Sequence, residues 1–437
     1  MFKLQRFSPK SSNQAILGLR LLSFSLALLA MLWTFDVLFP ISLSPSHQPF
    51  AKVITAEDGS PLRAFADSKG IWRYPITLDK ISPLYIEALI YYEDRWFWQH
   101  PGINPLSILR AFMQNISSRK IISGGSTLTM QVARLLSPHS RSFSGKIKQI
   151  CMALQLEWHY SKTQILSYYL NHAPFGGTIE GVQAASYTYL GKSAKELSHA
   201  EAALLTVLPQ APSRTRPDRH PKQALFARNK VLTRLAKYAI WSEQVLEQAR
   251  REPIIAQHHS SPRIAPLLAR RLLSSAPGDS VIKTSIDLDM QVGIATRVKE
   301  YIEQLPEQTS AAVLVVENHS LKVKAYIGSA NFLDPKRFGH IDMIKATRSP
   351  GSTLKPFLYG IAIDQGIIHS ASLLSDAPLS FDGYQPRNFS KGFSGPVSVS
   401  HALQRSLNIP AVQVLQQLTP EIFVSRLKNA GLQLNLA

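Results

Sequence analysis

The longest predominantly apolar run is LLSFSLALLAMLWTFDVLFPISL, residues 21–43, in which Asp36 is the one acidic residue. A helix rising about 1.5 Å per residue over this run crosses the roughly 30 Å of a bilayer's hydrocarbon, so a transmembrane helix is predicted there. Residues 44–80 read as a linker leading into short extended segments, with SPSHQPF as its start and DGSPLR as a turn. From Ile81 to Ala239 the spacing of apolar residues is helical. In SHAEAALLTVLPQAP, Ser198 and Glu201 have the spacing of a capping box, and Pro209 stops the helix; SKTQILSYYLN repeats the signal with Ser161 and Gln164. YYEDRWFWQHPGIN places Glu93, Phe97 and His100 on one side of a helix that Pro101 and Gly102 would end. Beyond residue 280 the texture changes. SAAVLVVENHSLKVKAYIGSA reads as two strands joined around Asn318 and Ser320, and helices resume at Ser352.

The pattern gives a multi-domain chain: tail 1–20, transmembrane helix 21–43, linker 44–80, a mainly α domain over 81–240, linker 241–280, and an α/β domain over 281–437. Composition adds partners. The net charge of +19 points to phosphate-bearing or anionic surfaces. Lys3, Arg6, Lys10 and Arg20 precede the apolar run, which favours a cytoplasmic N-terminus and an external body, and this argues against nucleic acid as the partner. The single cysteine, Cys151, excludes an intrachain disulfide framework.

Several stretches carry chemistry. A carboxylate at Glu93 among Trp96, Phe97 and Trp98 is open to desolvation, which would raise its pKa and make it a usable base. A lone Glu on an aromatic helix is more often structural, so it gains weight only from company. SGGSTLTMQVARLL sets Ser126 and Thr127 at a helix N-terminus suited to an anion, with Gln131 one turn in. SGKIKQICMALQLEWHYSKTQ sets Ile147, Ile150 and Leu154 on an apolar stripe, with Lys146, Gln149 and Ala153 on an adjoining line and Lys148 and Lys162 adding charge.

In this order EDRWFWQHPGIN, GGSTLTMQ, GKIKQICMALQLE, KTQILSYYLN with APFGG, and LSHAEAALL with LPQAPS resemble the successive motifs of the peptidoglycan glycosyltransferases, over about residues 80–235. The resemblance implies a lysozyme-like helical fold acting on lipid II and the growing glycan strand. Glu93 would deprotonate the acceptor 4-hydroxyl, which attacks the donor's anomeric carbon with inversion and expels undecaprenyl pyrophosphate. Asp94, His100, Ser126, Thr127, Gln131, Lys146, Gln149 and Lys162 fall on positions the family uses around its substrates. One departure concerns Gln149, where the family commonly has a second carboxylate; Gln149 hydrogen-bonds but carries no charge. Asn104 likewise stands where Asp is common. No metal-ligand set is assigned, and a divalent cation, Mg2+ or Mn2+, at the pyrophosphate is the one cofactor left open.

Ser-x-x-Lys occurs at Ser117, Ser280, Ser352 and Ser425, but only Ser352 follows Pro-Gly at a loop-to-helix junction, with Lys355 one turn later. RSPGSTLKP, TSIDLDMQ from Thr284, and SLN at Ser406–Asn408 resemble the penicillin-binding transpeptidase signatures, and with the anchor they suggest a class A penicillin-binding protein. Ser352 would be the acyl nucleophile, Lys355 its base, and Ser406 and Asn408 would position substrate. The third motif, Lys-Thr-Gly or Lys-Ser-Gly, does not occur after Asn408. The expectation is therefore a truncated transpeptidase domain with lost or very weak penicillin acylation. The whole is expected in the bacterial inner membrane, single-pass, with periplasmic catalytic domains and other cell-wall synthesis proteins as partners. The alternative is a non-catalytic cell-wall scaffold or the remnant of a bifunctional enzyme.

Overall fold

The computed structural model describes residues 36–43, 51–118, 125–140, 142–259, 262–276, 278–380, 384–390 and 392–434, with isolated positions between 23 and 34. The predicted tail and part of the predicted membrane span lie outside the described residues. Among those described, no helix is long and apolar enough to cross a membrane. The chain divides into two compact units, Met1–Ile344 and Lys345–Ala437.

The first unit is built around a helical core. Helix α1 (Pro83–Glu93) begins with Pro83 just inside its start, where the missing N–H costs nothing. After α2 (Pro105–Ser118) come α3 (Leu128–Leu136), α4 (Phe143–His159) and α5 (Lys162–His172). Then follow α6 (Val182–Leu190), α7 (His199–Val207), the short α8 (Pro212–Thr215) and α9 (Pro221–Lys237). Both predicted capping boxes are present, Ser161 with Gln164 and Ser198 with Glu201. The buried face of α1, with Tyr85, Ala88 and Leu89, joins Leu204 and Leu205 of α7 and Val231, Leu232 and Leu235 of α9 in one apolar core. Those side chains fix where the end of α1 lies.

Two helix readings need correction. α1 ends at Glu93 and does not run on to His100, because the Asp94 backbone turns out of the helix and its carboxylate accepts from the Leu128 N–H at 2.9 Å. Tertiary bonds at Asp94 outweigh the apolar spacing of Phe97. On α4 the buried positions include Gln149, Met152, Ala153 and Leu156, whereas Ile147 is 48% exposed, so the line beside the predicted stripe is the one that packs.

The described residues of the two segments read as linkers form regular elements, and those within 44–80 include the expected short extended segments. β1 (Lys52–Thr55) pairs antiparallel with β2 (Pro61–Phe65) and parallel with β6 (Val281–Lys283), Val53 facing Val281. Between residues 241 and 280 lie α10 (Glu243–Arg251) and α11 (Pro266–Ser275). Leu268 and Ala269 of α11 pack with Ile54, Leu62, Ile286 and Tyr326 as a second small core. The pairing of β1 with β6, more than two hundred residues apart, leaves no local signature in the sequence. β3 (Trp72–Arg73), β4 (Pro174–Gly176) and β5 (Ile179–Glu180) form another small sheet in the order β3-β5-β4. α12 (Leu288–Glu303) follows, and then the predicted hairpin, β7 (Val313–Val316) with β8 (Val323–Ile327).

The second unit holds α13 (Lys355–Asp364), the antiparallel pair β9 (Leu373–Asp376) and β10 (Gly395–Ser398), and α14 (Val399–Gln404), α15 (Asn408–Leu418) and α16 (Pro420–Asn429). Its own core includes Leu358, Tyr359, Val397, Val414 and Phe423.

Candidate active site

The first unit carries a cleft of about 880 Å³ whose wall includes Glu93, Asp94, Ser126, Thr127 and Gln131. Glu93 is the last residue of α1, so its side chain leaves the helix at the cleft. Its Oε2 accepts from Gln131 Nε2 at 2.8 Å and its Oε1 from Gln210 Nε2 at 2.6 Å. Burial raises the Glu93 carboxyl above the usual range, against the lowering effect of the two amides and of Arg234. The result is a half-buried carboxylate held at both oxygens by neutral donors, a form suited to accepting a proton.

Asp94 is the anchor beneath it. Buried to 6% exposure, it accepts from the Leu128 N–H at the start of α3 and lies 2.9 Å from His100 Nε2. A carboxylate at a helix N-terminus is favoured by the helix dipole. Thr127 caps α3 by accepting from the Met130 N–H and donates to the Gly102 carbonyl at 2.6 Å. Gly102 has φ +86, and a Cβ there would meet the Ala153 carbonyl oxygen at 2.6 Å, so only glycine allows this loop to lie on α4.

Other predicted residues form a layer behind the cleft wall. Lys146 Nζ donates to Ser126 Oγ at 2.7 Å and to Gln149 Oε1 at 3.1 Å, and burial lowers its pKa. Gln149 Nε2 donates to the Met130 carbonyl at 2.5 Å. Lys162 is held by Glu157 at 2.7 Å and by the His100 carbonyl at 2.6 Å, and lies over the Phe97 ring. These bonds leave Lys162 and His100 supporting the site from outside its lining.

Sequence reading missed Gln210 and a basic wall. Gln210 ends a short 3-10 turn, Leu208–Gln210, that continues α7. Lys230, Arg234 and Lys237 line the cleft from α9, and Arg95 and Arg110 add two more cations opposite only two carboxylates, Glu93 and Asp94. The i, i+4, i+7 spacing of the α9 cations was the available signal. Among the described residues no three metal-ligating side chains converge, and both oxygens of each of these carboxylates are already engaged.

The second unit brings its predicted residues together differently. Ser352 is exposed on a 3-10 turn, Gly351–Leu354, directly ahead of α13, so the α-helix starts at Lys355. Lys355 is buried, and its Nζ donates to the Ser406 carbonyl at 2.6 Å, to Ser406 Oγ at 3.2 Å and to Asn408 Oδ1 at 2.7 Å. Burial lowers its pKa, which suits a base. Ser406 adopts φ +50 to present its carbonyl. Asn408 is fixed in turn: its N–H donates to Asn388 Oδ1 at 2.9 Å, and Asn388 Nδ2 donates to the fully buried Asp376 at 2.7 Å.

Comparison with known proteins finds two families in succession along the chain, the second beginning within the first unit at residue 311. Residues 58–236 match the family described as Transglycosylase, and residues 311–435 match that described as Penicillin binding protein transpeptidase domain. The chain is 52% identical over 404 residues to penicillin-binding protein 1C of Escherichia coli (strain K12), covering 92% of this chain and 52% of that protein. It is 30% identical to penicillin-binding protein 1F of Bacillus subtilis, covering 83% and 53%, and 29% identical to penicillin-binding protein 1A of Pseudomonas aeruginosa, covering 87% and 61%. It thus spans half to three-fifths of the length of these curated relatives. The chain thus joins a domain of the Transglycosylase family to one of the penicillin-binding transpeptidase family.

Proposed function

We propose that the first unit is a peptidoglycan glycosyltransferase that polymerises lipid II into β-1,4 glycan strands. The observation that carries this reading is Glu93, a carboxylate of raised pKa gripped by Gln131 and Gln210 on the wall of a cation-rich cleft. Glu93 takes the proton of the acceptor's 4-hydroxyl as that oxygen bonds to the donor's anomeric carbon. The bond to the pyrophosphate oxygen breaks, its electron pair leaving with undecaprenyl pyrophosphate and inverting the centre. Because the leaving group departs as a stable anion, the cleft's cations assist it and a second acid is dispensable, which accommodates Gln149. Polymerisation of labelled lipid II, lost in Glu93→Gln, tests the assignment.

The chain is further read as anchored by residues 21–43 in a bacterial inner membrane, with its catalytic units in the periplasm and other cell-wall synthesis proteins as partners. Support comes from the exposed apolar side chains Leu106, Leu109, Phe143, Ile147 and Trp158, and from Asp36, which accepts from Gln155 Nε2 at 2.8 Å and so ties the end of that run to α4. Recovery with membranes after removal of peripheral proteins, lost on deleting residues 1–43, tests this.

In the second unit Ser352 is read as an acyl nucleophile with Lys355 as its base and Ser406 and Asn408 holding that base. Fluorescent penicillin decides whether the 437-residue chain acylates, through a covalent band that Ser352→Ala abolishes, or follows the sequence expectation of lost or very weak labelling.

A further inference from the structure

Away from the cleft, two arginines from separate elements of the first unit lie over the Phe332 ring. Arg63 of β2 lies over it at 5.3 Å and Arg270 of α11 at 4.7 Å. Arg263 faces Arg63 across an isolated antiparallel bridge. Directly opposed like charges are destabilising. No ion pair among the described residues involves Arg63, Arg263 or Arg270. Burial and the neighbouring Arg270 and Arg263 lower the Arg63 pKa. One terminal nitrogen of Arg63, Nη1, is buried without a hydrogen-bond partner.

Stacking on Phe332 does not resolve this. A ring engages the face of a guanidinium, whereas the donors lie in its plane and point outward. A buried donor without a partner is costly, and native structures seldom leave one so. Beside the cluster lies a cavity of about 280 Å³, lined by Arg263, Phe332, Tyr326, Leu267 and Lys299. It combines cationic and apolar surface at small-molecule size.

We propose that Arg63, Arg263 and Arg270 around Phe332 form an oxyanion-binding site. It takes a phosphate or carboxylate group, with the body of the ligand in the adjoining cavity. Guanidinium forks match both groups, with paired N–H donors on two oxygens. Binding would offset the repulsion between Arg63 and Arg263. The site is separate from the Glu93 cleft and does not rest on the transfer chemistry proposed for it.

The test is phenylglyoxal modification of the full chain, with rates read at individual arginines by peptide mass mapping. Samples contain inorganic phosphate, succinate or chloride at matched ionic strength, and the exposed Arg251 and Arg297 serve as references. At a concentration about four times Kd, modification of Arg263 and Arg270 slows about fivefold relative to chloride, and the reference arginines do not change. Slowing by phosphate alone assigns a phosphate ligand, and slowing by succinate alone a carboxylate ligand. Protection at Arg263 disappears in Arg63→Gln and in Arg270→Gln, the latter an exposed position where the fold is undisturbed. The proposal is overturned if neither anion protects, if Arg251 and Arg297 slow equally, or if Arg263 stays protected in folded Arg270→Gln.

Discussion

Gln210, 117 residues further along the chain, donates its side-chain amide to Glu93 Oε1 at 2.6 Å, while Gln131 donates to the other oxygen at 2.8 Å. The pair fixes the carboxylate's plane without supplying a charge that would quench its basicity. Hydrogen bonds to a charged group are worth about 1.5–3 kcal/mol, so Gln210→Ala and Gln131→Ala should each lower kcat for lipid II polymerisation by about ten- to a hundredfold. KM should change less. Because both amides lower the Glu93 pKa, each variant should also move the acidic limb of the pH–rate profile to higher pH.

The same carboxyl makes stability depend on pH in a defined direction. Burial raises its folded-state pKa above its unfolded value. Below the unfolded value both states are protonated and no penalty exists. As pH rises through the interval between the two values, the folded state is left holding a desolvated charge and loses stability. Glu93→Gln should therefore raise stability at neutral pH by about 1.4 kcal/mol for each unit of the shift, read as a higher Tm, and converge with wild type in acid.

Gln149 suits its surroundings as an amide. Its Nε2 donates to the Met130 carbonyl at 2.5 Å while its Oε1 accepts from Lys146 at 3.1 Å. In Gln149→Glu a carboxylate oxygen would face that carbonyl in a buried position, costing about 1–3 kcal/mol. Differential scanning calorimetry should show a Tm lower by roughly 2–10 °C, and turnover should not increase.

Asp94→Ala removes the acceptor for Leu128 N–H and the partner of His100 in one step. A loss of about 2–4 kcal/mol is expected in urea unfolding, with turnover falling because the end of α1 loosens.

In the second unit, Asn388→Ala would leave the buried Asp376 carboxylate with the Ser394 N–H and without its Asn388 donor, and would free the Asn408 N–H. About 1–3 kcal/mol should be lost, read as faster proteolysis within Lys345–Ala437.

Local signals were legible in the sequence. The capping boxes at Ser161 and Ser198, the Thr127 helix start and the β7–β8 hairpin depend on neighbours a few residues apart. What escaped depends on distance. The Gln210 bond, the β1–β6 pairing and the end of α1 at Asp94 are set by partners that tertiary packing delivers, and no period along the chain announces them. The stripe on α4 misled for a related reason: Gln149 is satisfied inside, which lets a polar position face the core while Ile147 stays outside.

The most direct measurement is polymerisation of labelled lipid II in detergent by wild-type protein and by Glu93→Gln, with thermal unfolding confirming that both are folded. Glycan product from wild type and a loss of at least about a thousandfold in Glu93→Gln is the predicted result, as expected when a general base is removed. No product from folded wild type, or equal product from Glu93→Gln, would contradict the assignment of Glu93 as the base.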